Sequence, residues 1–393
     1  MNSNHNQVLR RLSELLKAHQ FEIISENQKD LASCNQEDKA LYDRLKVDEN
    51  KITSMINCVE QALETENILG KTIYTYQHPK GMLIENRIVP FGKIFIIYES
   101  RPDVTIEAAV MAFKAGNKIV LKGGKESLRS NLILVKLWHK ALTENGFSED
   151  YVVYLDLNRE EIQQAIAKNT YKADLIIPRG GDQLIDFVKK NSNIPVLISG
   201  RGNNFLYVDE EADFEMAKKI ILNGKSRISV CNALDKVILN KNLQNLDEKL
   251  KDLVQFLQAN QLDVFGYGEI LNINPDLKKD ENPELLKEEF LSEKMVILLA
   301  NSLDEAIEII NENSGGHSAT IITTNKSKAE KFQTEVDCGA VYHNASTRFT
   351  DGGEFGLSGE IAISTQKLHF RGPLGIHQLT TNKWFISGNG EIR

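Results

Sequence analysis

A chain of 393 residues is long enough for two or three domains, and a composition 41% hydrophobic and 26% charged is that of a globular protein, not of a disordered or membrane one. Met1-Asn-Ser-Asn-His-Asn6 has no apolar signal core and no apolar run approaches the roughly 20 residues that cross a bilayer, so a cytoplasmic protein without membrane contact is expected. A net charge of −8 argues against nucleic-acid binding, and the four cysteines, in no spacing pattern, fit a reducing compartment.

Residues 7–70 read as helices, because Leu9, Leu12, Leu15 and Leu16 recur at helical spacing. Thr72 to Tyr76 and Gly81 to Pro90 are short alternating runs broken at His78-Pro-Lys-Gly81, which predicts the strands of an arm. From Lys93 strands and helices alternate. Strands are predicted at 94–98, 118–121, 151–155, 174–177 and 195–198, with helices at 104–115, 126–142, 159–168 and 182–190 between them. Such alternation implies a doubly wound α/β sheet, whose ligands sit at the carboxyl ends of its strands.

Two strand-to-helix turns in this region bring glycine pairs and cations together, at Lys122-Gly123-Gly124-Lys125 and at Arg179-Gly180-Gly181. Paired glycines let backbone amides approach an anion at a helix start, so a nucleotide phosphate fits there; ordinary glycine turns with solvated cations would look the same. Familiar motifs fail. Gly200-Arg-Gly202 lacks the third glycine, where Phe205 stands, and Lys219 replaces the leading glycine that Gly224-Lys-Ser226 needs for a phosphate loop. Without H-E-x-x-H or C-x-x-C, the sequence offers no metal site.

A second series follows: strands at 205–208, 236–239, 294–299 and 317–322, helices at 210–222, 246–257, 302–311 and 326–336. It carries Cys231, between the polar loop Lys225-Ser-Arg-Ile-Ser-Val230 and an apolar run. A reactive cysteine needs cationic or dipolar neighbours. Lys225 and Arg227 are close in sequence, and a helix starting at Ser229–Ala233 would add a dipole. A buried structural cysteine is the alternative. The polar, glycine-rich run from Tyr342 to Glu360 reads as a site loop or a flexible connection, with Arg348 able to take a carboxylate in two parallel hydrogen bonds. Trp384-Phe-Ile-Ser387 suggests an edge strand added to a partner subunit.

Taken together, Tyr98-Glu-Ser-Arg-Pro-Asp-Val-Thr105, Leu121-Lys-Gly-Gly-Lys-Glu126, Ser229-Val-Cys-Asn-Ala233, Asn344-Ala-Ser-Thr-Arg-Phe-Thr-Asp-Gly-Gly-Glu-Phe-Gly356 and Ile363-Ser-Thr-Gln-Lys-Leu-His369 resemble the γ-glutamyl phosphate reductase family of the aldehyde dehydrogenase superfamily. The resemblance runs in order from about Val89 to Arg393. It implies an aldehyde dehydrogenase-like fold: a nucleotide-binding domain at 1–200 with arm strands near 72–90, a catalytic domain at 201–364 carrying Cys231, and a C-terminal oligomerisation strand within 365–393. The implied reaction is the NADPH-dependent reduction of γ-glutamyl phosphate to glutamate 5-semialdehyde and phosphate, the second step of proline synthesis.

By the same resemblance Cys231 is the nucleophile that forms a thioester, with Asn232 beside it and an oxyanion held by the Cys231 backbone N–H. Lys122 and its glycines, Arg179, Gly180 and Gly181 would hold NADPH or NADP, with Glu289 on the nicotinamide ribose although Leu-Ser-Glu-Lys follows where the superfamily has Phe-Gly-Pro. Arg101, Ser346, Thr347 and Arg348 would hold the amino-acid end of the substrate. Homo-oligomerisation and contact with glutamate 5-kinase are further implications. Hydrolytic relatives carry a glutamate base in Glu-Leu-Gly-Gly-Lys, whereas this chain has Ile198-Ser-Gly-Arg-Gly202 with no carboxylate. Family members commonly show Cys-His-x-Tyr-x-Asp where Asn204-Phe-Leu-Tyr-Val-Asp209 stands here, so the histidine is replaced by Phe205. Three other readings stay open: a reductase of acyl-CoA or another acyl phosphate, a cysteine hydrolase using His317, His343 or His369 as base, and a silent protein that keeps the fold.

Overall fold

The computed structural model describes residues 2–34, 38–280, 282–357 and 359–393. The chain forms two compact units, one of residues 1–198, 356–362 and 374–393, the other of 199–355 and 363–373.

In the first unit the leucines at helical spacing make α1 (Asn2–Ala18), and Leu9, Leu12, Leu15 and Leu16 are all buried. Behind it come α2 (Gln20–Ser33), α3 (Lys39–Leu45) and α4 (Glu49–Glu64), the last begun by Asp48, whose carboxylate accepts from the Lys51 N–H at 3.0 Å. β1 (Thr72–Gln77) and β2 (Leu83–Pro90) form the arm. The C-terminal strand Thr380–Ser387 completes it, antiparallel to β2 from Thr380 opposite Pro90 to Ser387 opposite Leu83. Within the chain it pairs with β2 along one side and forms the edge of the three-stranded sheet.

The rest of this unit alternates: β3 (Lys93–Tyr98), α5 (Val104–Lys114), β4 (Lys118–Lys122), α6 (Leu128–Glu144), β5 (Val152–Tyr154), α7 (Arg159–Lys168), β6 (Leu175–Arg179) and α8 (Asp182–Asn191). The strands form a parallel sheet in the order β5-β4-β3-β6. Side chains alternate across it. Ile94, Ile96 and Tyr98 pack among the buried residues of α5 and α6, while Phe95 and Ile97 pack against those of α7 and α8. That double burial is why each strand reads as a continuous apolar run. The predicted strand at 195–198 reduces to a single bridge between Val196 and Ile176, flanked by hydrogen bonds from Ile176 N to Pro195 O and from Leu197 N to Ile176 O, both at 2.9 Å.

The second unit contains β7 (Asn204–Val208), α9 (Phe214–Gly224), β8 (Leu234–Asn240), α10 (Leu246–Ala259), β9 (Asp263–Gly266), α11 (Ile270–Ile273), β10 (Lys278–Lys279), β11 (Lys294–Ala300), α12 (Leu303–Asn313), β12 (Ser318–Ile322), α13 (Lys326–Glu335) and β13 (Ala340–His343). The strands pair in parallel in the order β10-β9-β11-β8-β7-β12-β13. Leu206, Val237 and Leu239 face the helices α9 and α10; Phe205, Tyr207 and Ile238 face α12 and α13. A short pair, β14 (Ile363–Ser364) with β15 (Gly372–Pro373), closes this unit.

Because the sheet is parallel, every segment that precedes a strand lies on one edge. The loops before β7, β8, β11 and β12 therefore converge at the amino-terminal edge of this second sheet. That is the opposite edge from the one at which ligands of open α/β sheets are usually sought.

Candidate active site

Cys231 lies in the nine-residue stretch 225–233 that joins α9 to β8, half-exposed and in no disulfide. This stretch is a succession of bends and turns. No helix starts at Ser229–Ala233, so that source of a dipole is missing; the loop is held by side chains instead.

Three contacts fix its backbone. Asn204, buried at the start of β7, places Nδ2 2.8 Å from Cys231 O and 2.6 Å from Ala233 O. Gly202 approaches so closely that a Cβ there would stand 1.9 Å from Cys231 O. The glycine that looked like part of a failed dinucleotide fingerprint is thus required for the passage of the cysteine loop. On the far side of Cys231, the Asn232 carbonyl accepts from Thr347 Oγ1 at 2.9 Å.

Asn232 is wholly engaged. Its Nδ2 donates to Thr350 O (3.0 Å) and Arg348 O (3.2 Å), and its Oδ1 accepts from Arg348 Nη1. Both amide hydrogens therefore point at the 346–350 segment. The side chain fixes Arg348 and cannot also donate to an oxyanion, so its place is that of a positioning residue.

The polar run after β13 is not a loose connection. Tyr342 and His343 belong to β13, and Ser346 Oγ accepts from the Arg348 N–H (3.3 Å) to start the single 3₁₀ turn Thr347–Phe349. Burial is the main cause that lowers the basicity of the Arg348 guanidinium, with the like charge of Arg227 second, while Asp351 and Cys231 act in the opposite sense. Cys231 thus shares its surroundings with guanidinium groups, the electropositive setting that a nucleophilic thiol requires.

Two histidines considered as bases are committed elsewhere. His317 is fully buried with Nδ1 2.8 Å from Ser318 Oγ, and burial lowers its pKa to about 4. His343 Nε2 lies 2.9 Å from Thr323 O. Phe205, at the position of the family's histidine, is fully buried in the core of the second unit.

In the first unit, the carboxyl ends of the strands carry Lys122 on β4, Asp156 after β5, Glu99 after β3 and Arg179 on β6. Lys122 is half-buried; desolvation lowers its pKa, and Asp156 and Glu126 oppose that. The Lys122 ammonium is a donor at the strand edge where open α/β sheets take nucleotides, so this edge fits the ribose of a dinucleotide. Gly123 is demanded by packing, since a Cβ there would stand 2.3 Å from Asn131 Nδ2. A Cβ on Gly124 would meet the Glu126 carboxylate at 2.4 Å.

The second glycine turn already holds an anion, because the Gly181 N–H donates to Glu99 Oε2 at 3.2 Å. A Cβ on Gly180 would collide with that same carboxyl group at 2.7 Å. Arg101 is exposed in this unit, and both it and Arg179 act on Glu107, whose pKa burial raises to about 7. The structure therefore joins Cys231, Asn232, Ser346, Thr347 and Arg348 in the second unit, and places Arg101 in the first.

The model of the aldehyde dehydrogenase family matches residues 3–264 and 273–384. A γ-glutamyl phosphate reductase of Petrotoga mobilis is 42% identical over 98% of this chain and 92% of its own length. The chain belongs to the γ-glutamyl phosphate reductases of the aldehyde dehydrogenase family. The crystal structure of the γ-glutamyl phosphate reductase of Thermotoga maritima superposes with a TM-score of 0.95 at 37% identity, covering 100% of this chain and 95% of that one. An acetylating aldehyde dehydrogenase of Geobacillus thermoglucosidasius, 14% identical with a TM-score of 0.70 over 100% of this chain and 93% of that one, shares the fold.

Within this family the cysteine and arginine motifs are visible as text, whereas Gly202, Asn203, Asn204, Asp235 and Lys236 are not. One signal was available. Asparagines at the head of β7 and an Asp-Lys pair inside the apolar β8 are poor strand formers, and polar residues in a fully buried strand need partners.

Proposed function

We propose that this γ-glutamyl phosphate reductase uses Cys231 as its nucleophile and NADPH as its hydride donor to convert γ-glutamyl phosphate into glutamate 5-semialdehyde and phosphate. The observation that carries the reading is the anchoring of the Cys231 loop: Asn204 holds one side of the sulfur-bearing residue, and Asn232 ties the other side to Arg348.

Cys231 Sγ attacks the acyl carbon; a C–S bond forms and the C–O bond to phosphate breaks, with its electron pair leaving on phosphate. The Cys231 backbone N–H faces the oxyanion of this step. Bound nicotinamide supplies the hydride that reduces the resulting thioester. Collapse of the hemithioacetal breaks the C–S bond, frees the aldehyde and restores the sulfur. No carboxylate stands in the 198–202 segment to activate water, which suits a thioester made from phosphate rather than destined for hydrolysis.

Arg348, with Ser346 and Thr347 supporting its turn, is the ligand proposed for the substrate's charged end, and Arg101 is proposed to join it. Lys122 with Gly123 and Gly124 would hold the adenosine ribose, and Glu289 the nicotinamide ribose. Arg179 and Gly180 keep a weaker claim on the cofactor, because Glu99 already occupies the Gly181 amide. The first unit is the proposed dinucleotide carrier and the second the catalytic unit. The arm exposes Ile73, Tyr74, Trp384 and Ile386, apolar surface suited to the homo-oligomer proposed here.

The test is spectrophotometric and runs in reverse. With glutamate 5-semialdehyde and NADP, absorbance of the reduced nicotinamide should rise only when inorganic phosphate is present. Oxidation at the same rate without phosphate would refute the acyl phosphate reading, and a rise with NAD but none with NADP would refute NADPH as the cofactor.

A further inference from the structure

Beneath the amino-terminal edge of the second sheet lies a polar network that the proposed chemistry does not use. Lys225, at the base of the Cys231 loop, and Asp235, the second residue of β8, form an ion pair of 2.5 Å with side chains 0% and 2% exposed. The other oxygen of Asp235 accepts from the Phe290 N–H at 2.9 Å. The next residue, Lys236, is also fully buried. Its ammonium donates to Glu288 O and to Asn203 Oδ1 and lies 3.9 Å from the centre of the Phe290 ring. Asn203 Nδ2 in turn donates to Leu286 O (2.6 Å) and Asn313 O (2.7 Å).

The backbone on both sides of Glu289 is therefore pinned, at Glu288 O by Lys236 and at Phe290 N by Asp235. Lys225 compensates the Asp235 charge, and it belongs to the cysteine loop. A buried charge without a partner is costly, so neither end of this pair can move alone. Glu289 itself is half-buried between the two pinned groups.

We infer that Asp235 is a positioning residue, which sets the backbone from which the Glu289 carboxylate reaches the nicotinamide ribose and registers that carboxylate against the base of the Cys231 loop. The inference rests on the assignment of Glu289 proposed above, and the experiment separates the two.

The measurement is a double-mutant cycle on NADPH affinity, followed by fluorescence without substrate, in the full-length protein. Asp235→Asn leaves Lys225 buried against a neutral group and can fail to fold, so Lys225→Met/Asp235→Leu, which removes both charges together, is made alongside it. In whichever of the two melts as a folded protein, the NADPH Kd should rise about tenfold, and in a Glu289→Gln background the same change should add less than about twofold. Equal weakening in both backgrounds overturns the positioning role, as does an unchanged Kd in the folded variant. A Glu289→Gln protein that binds NADPH like the wild type overturns the Glu289 assignment, and this inference falls with it.

Discussion

The side-chain amide of Asn204 lies 2.8 Å from the carbonyl oxygen of Cys231, and Asn204 is fully buried. A strand residue thus holds the backbone of the residue proposed as the nucleophile. The same amide reaches Ala233 O at 2.6 Å, so the loop is clamped at two points two residues apart.

Replacement of Asn204 by alanine leaves those two carbonyls without that donor and opens a small void. Each buried unpaired carbonyl costs about 1–3 kcal/mol, so Asn204→Ala should lose about 2–6 kcal/mol by urea unfolding. Turnover should fall with it at temperatures where the variant remains folded, because the loop that orients the sulfur has lost its anchor. Unchanged turnover in a destabilised variant would restrict Asn204 to the fold.

Cys231 contributes little to packing, being half-exposed and in no disulfide. Cys231→Ala should therefore unfold within about 1 kcal/mol of the wild type, as surface substitutions usually do. Its reductase activity should drop by about 10³-fold or more, since removal of a covalent nucleophile leaves only binding and electrostatic contributions. Activity retained to within tenfold would remove the sulfur from the mechanism.

Much of the fold was legible because burial writes itself into sequence. Strands covered on both faces, such as Ile94 to Tyr98, must be continuously apolar, and α1 must repeat leucine at helical spacing. The site was legible only where it is a motif. Asn204, Asp235 and Lys236 act through residues distant in sequence, Asn204 on the loop before β8 and the Asp-Lys pair on the segment before β11, and no local pattern encodes such pairings. The role of Gly202 was hidden for a related reason: its missing side chain makes room for Cys231 O, which comes from a segment distant in sequence. Whether a helix starts at Ser229 was not decidable from the sequence, because nothing in the Ser-Val-Cys-Asn-Ala run distinguishes a helix cap from a loop whose polar groups are satisfied from elsewhere.

His317 gives a pH signature. It is fully buried, and burial lowers its pKa to about 4, against an ordinary histidine value near 6.5. The unfolded chain then binds more protons than the folded one between these two values, so stability is complete above pH 6.5 and declines as the pH falls through that window. From pH 6.5 to pH 5 the loss due to this residue should be about 2 kcal/mol. In His317→Gln the decline over that interval should shrink by this amount, whatever the variant's stability at pH 7.5. Parallel stability curves for the two proteins would contradict the burial argument.

Arg348 is tied to the Cys231 loop, because Nη1 donates to Asn232 Oδ1 while the Asn232 carbonyl is held by Thr347 Oγ1 at 2.9 Å, so as the proposed substrate ligand it would couple the substrate's charge to that loop. A lysine there keeps the positive charge but has no planar fork with which to hold Asn232 and an anion together. In Arg348→Lys the KM for the acyl substrate should therefore rise about tenfold, corresponding to about 1.4 kcal/mol, with a smaller change in kcat. Thr347→Val removes the hydroxyl that steadies Asn232 without touching any charge. It should act on kcat more than on KM, since it loosens the loop that aims the sulfur and leaves the guanidinium in place. Steady-state kinetics of the two variants side by side give the check: a Thr347→Val protein whose KM rises as far as that of Arg348→Lys would mean that the 346–350 segment binds substrate as a unit, and that Asn232 does not transmit its position to Cys231.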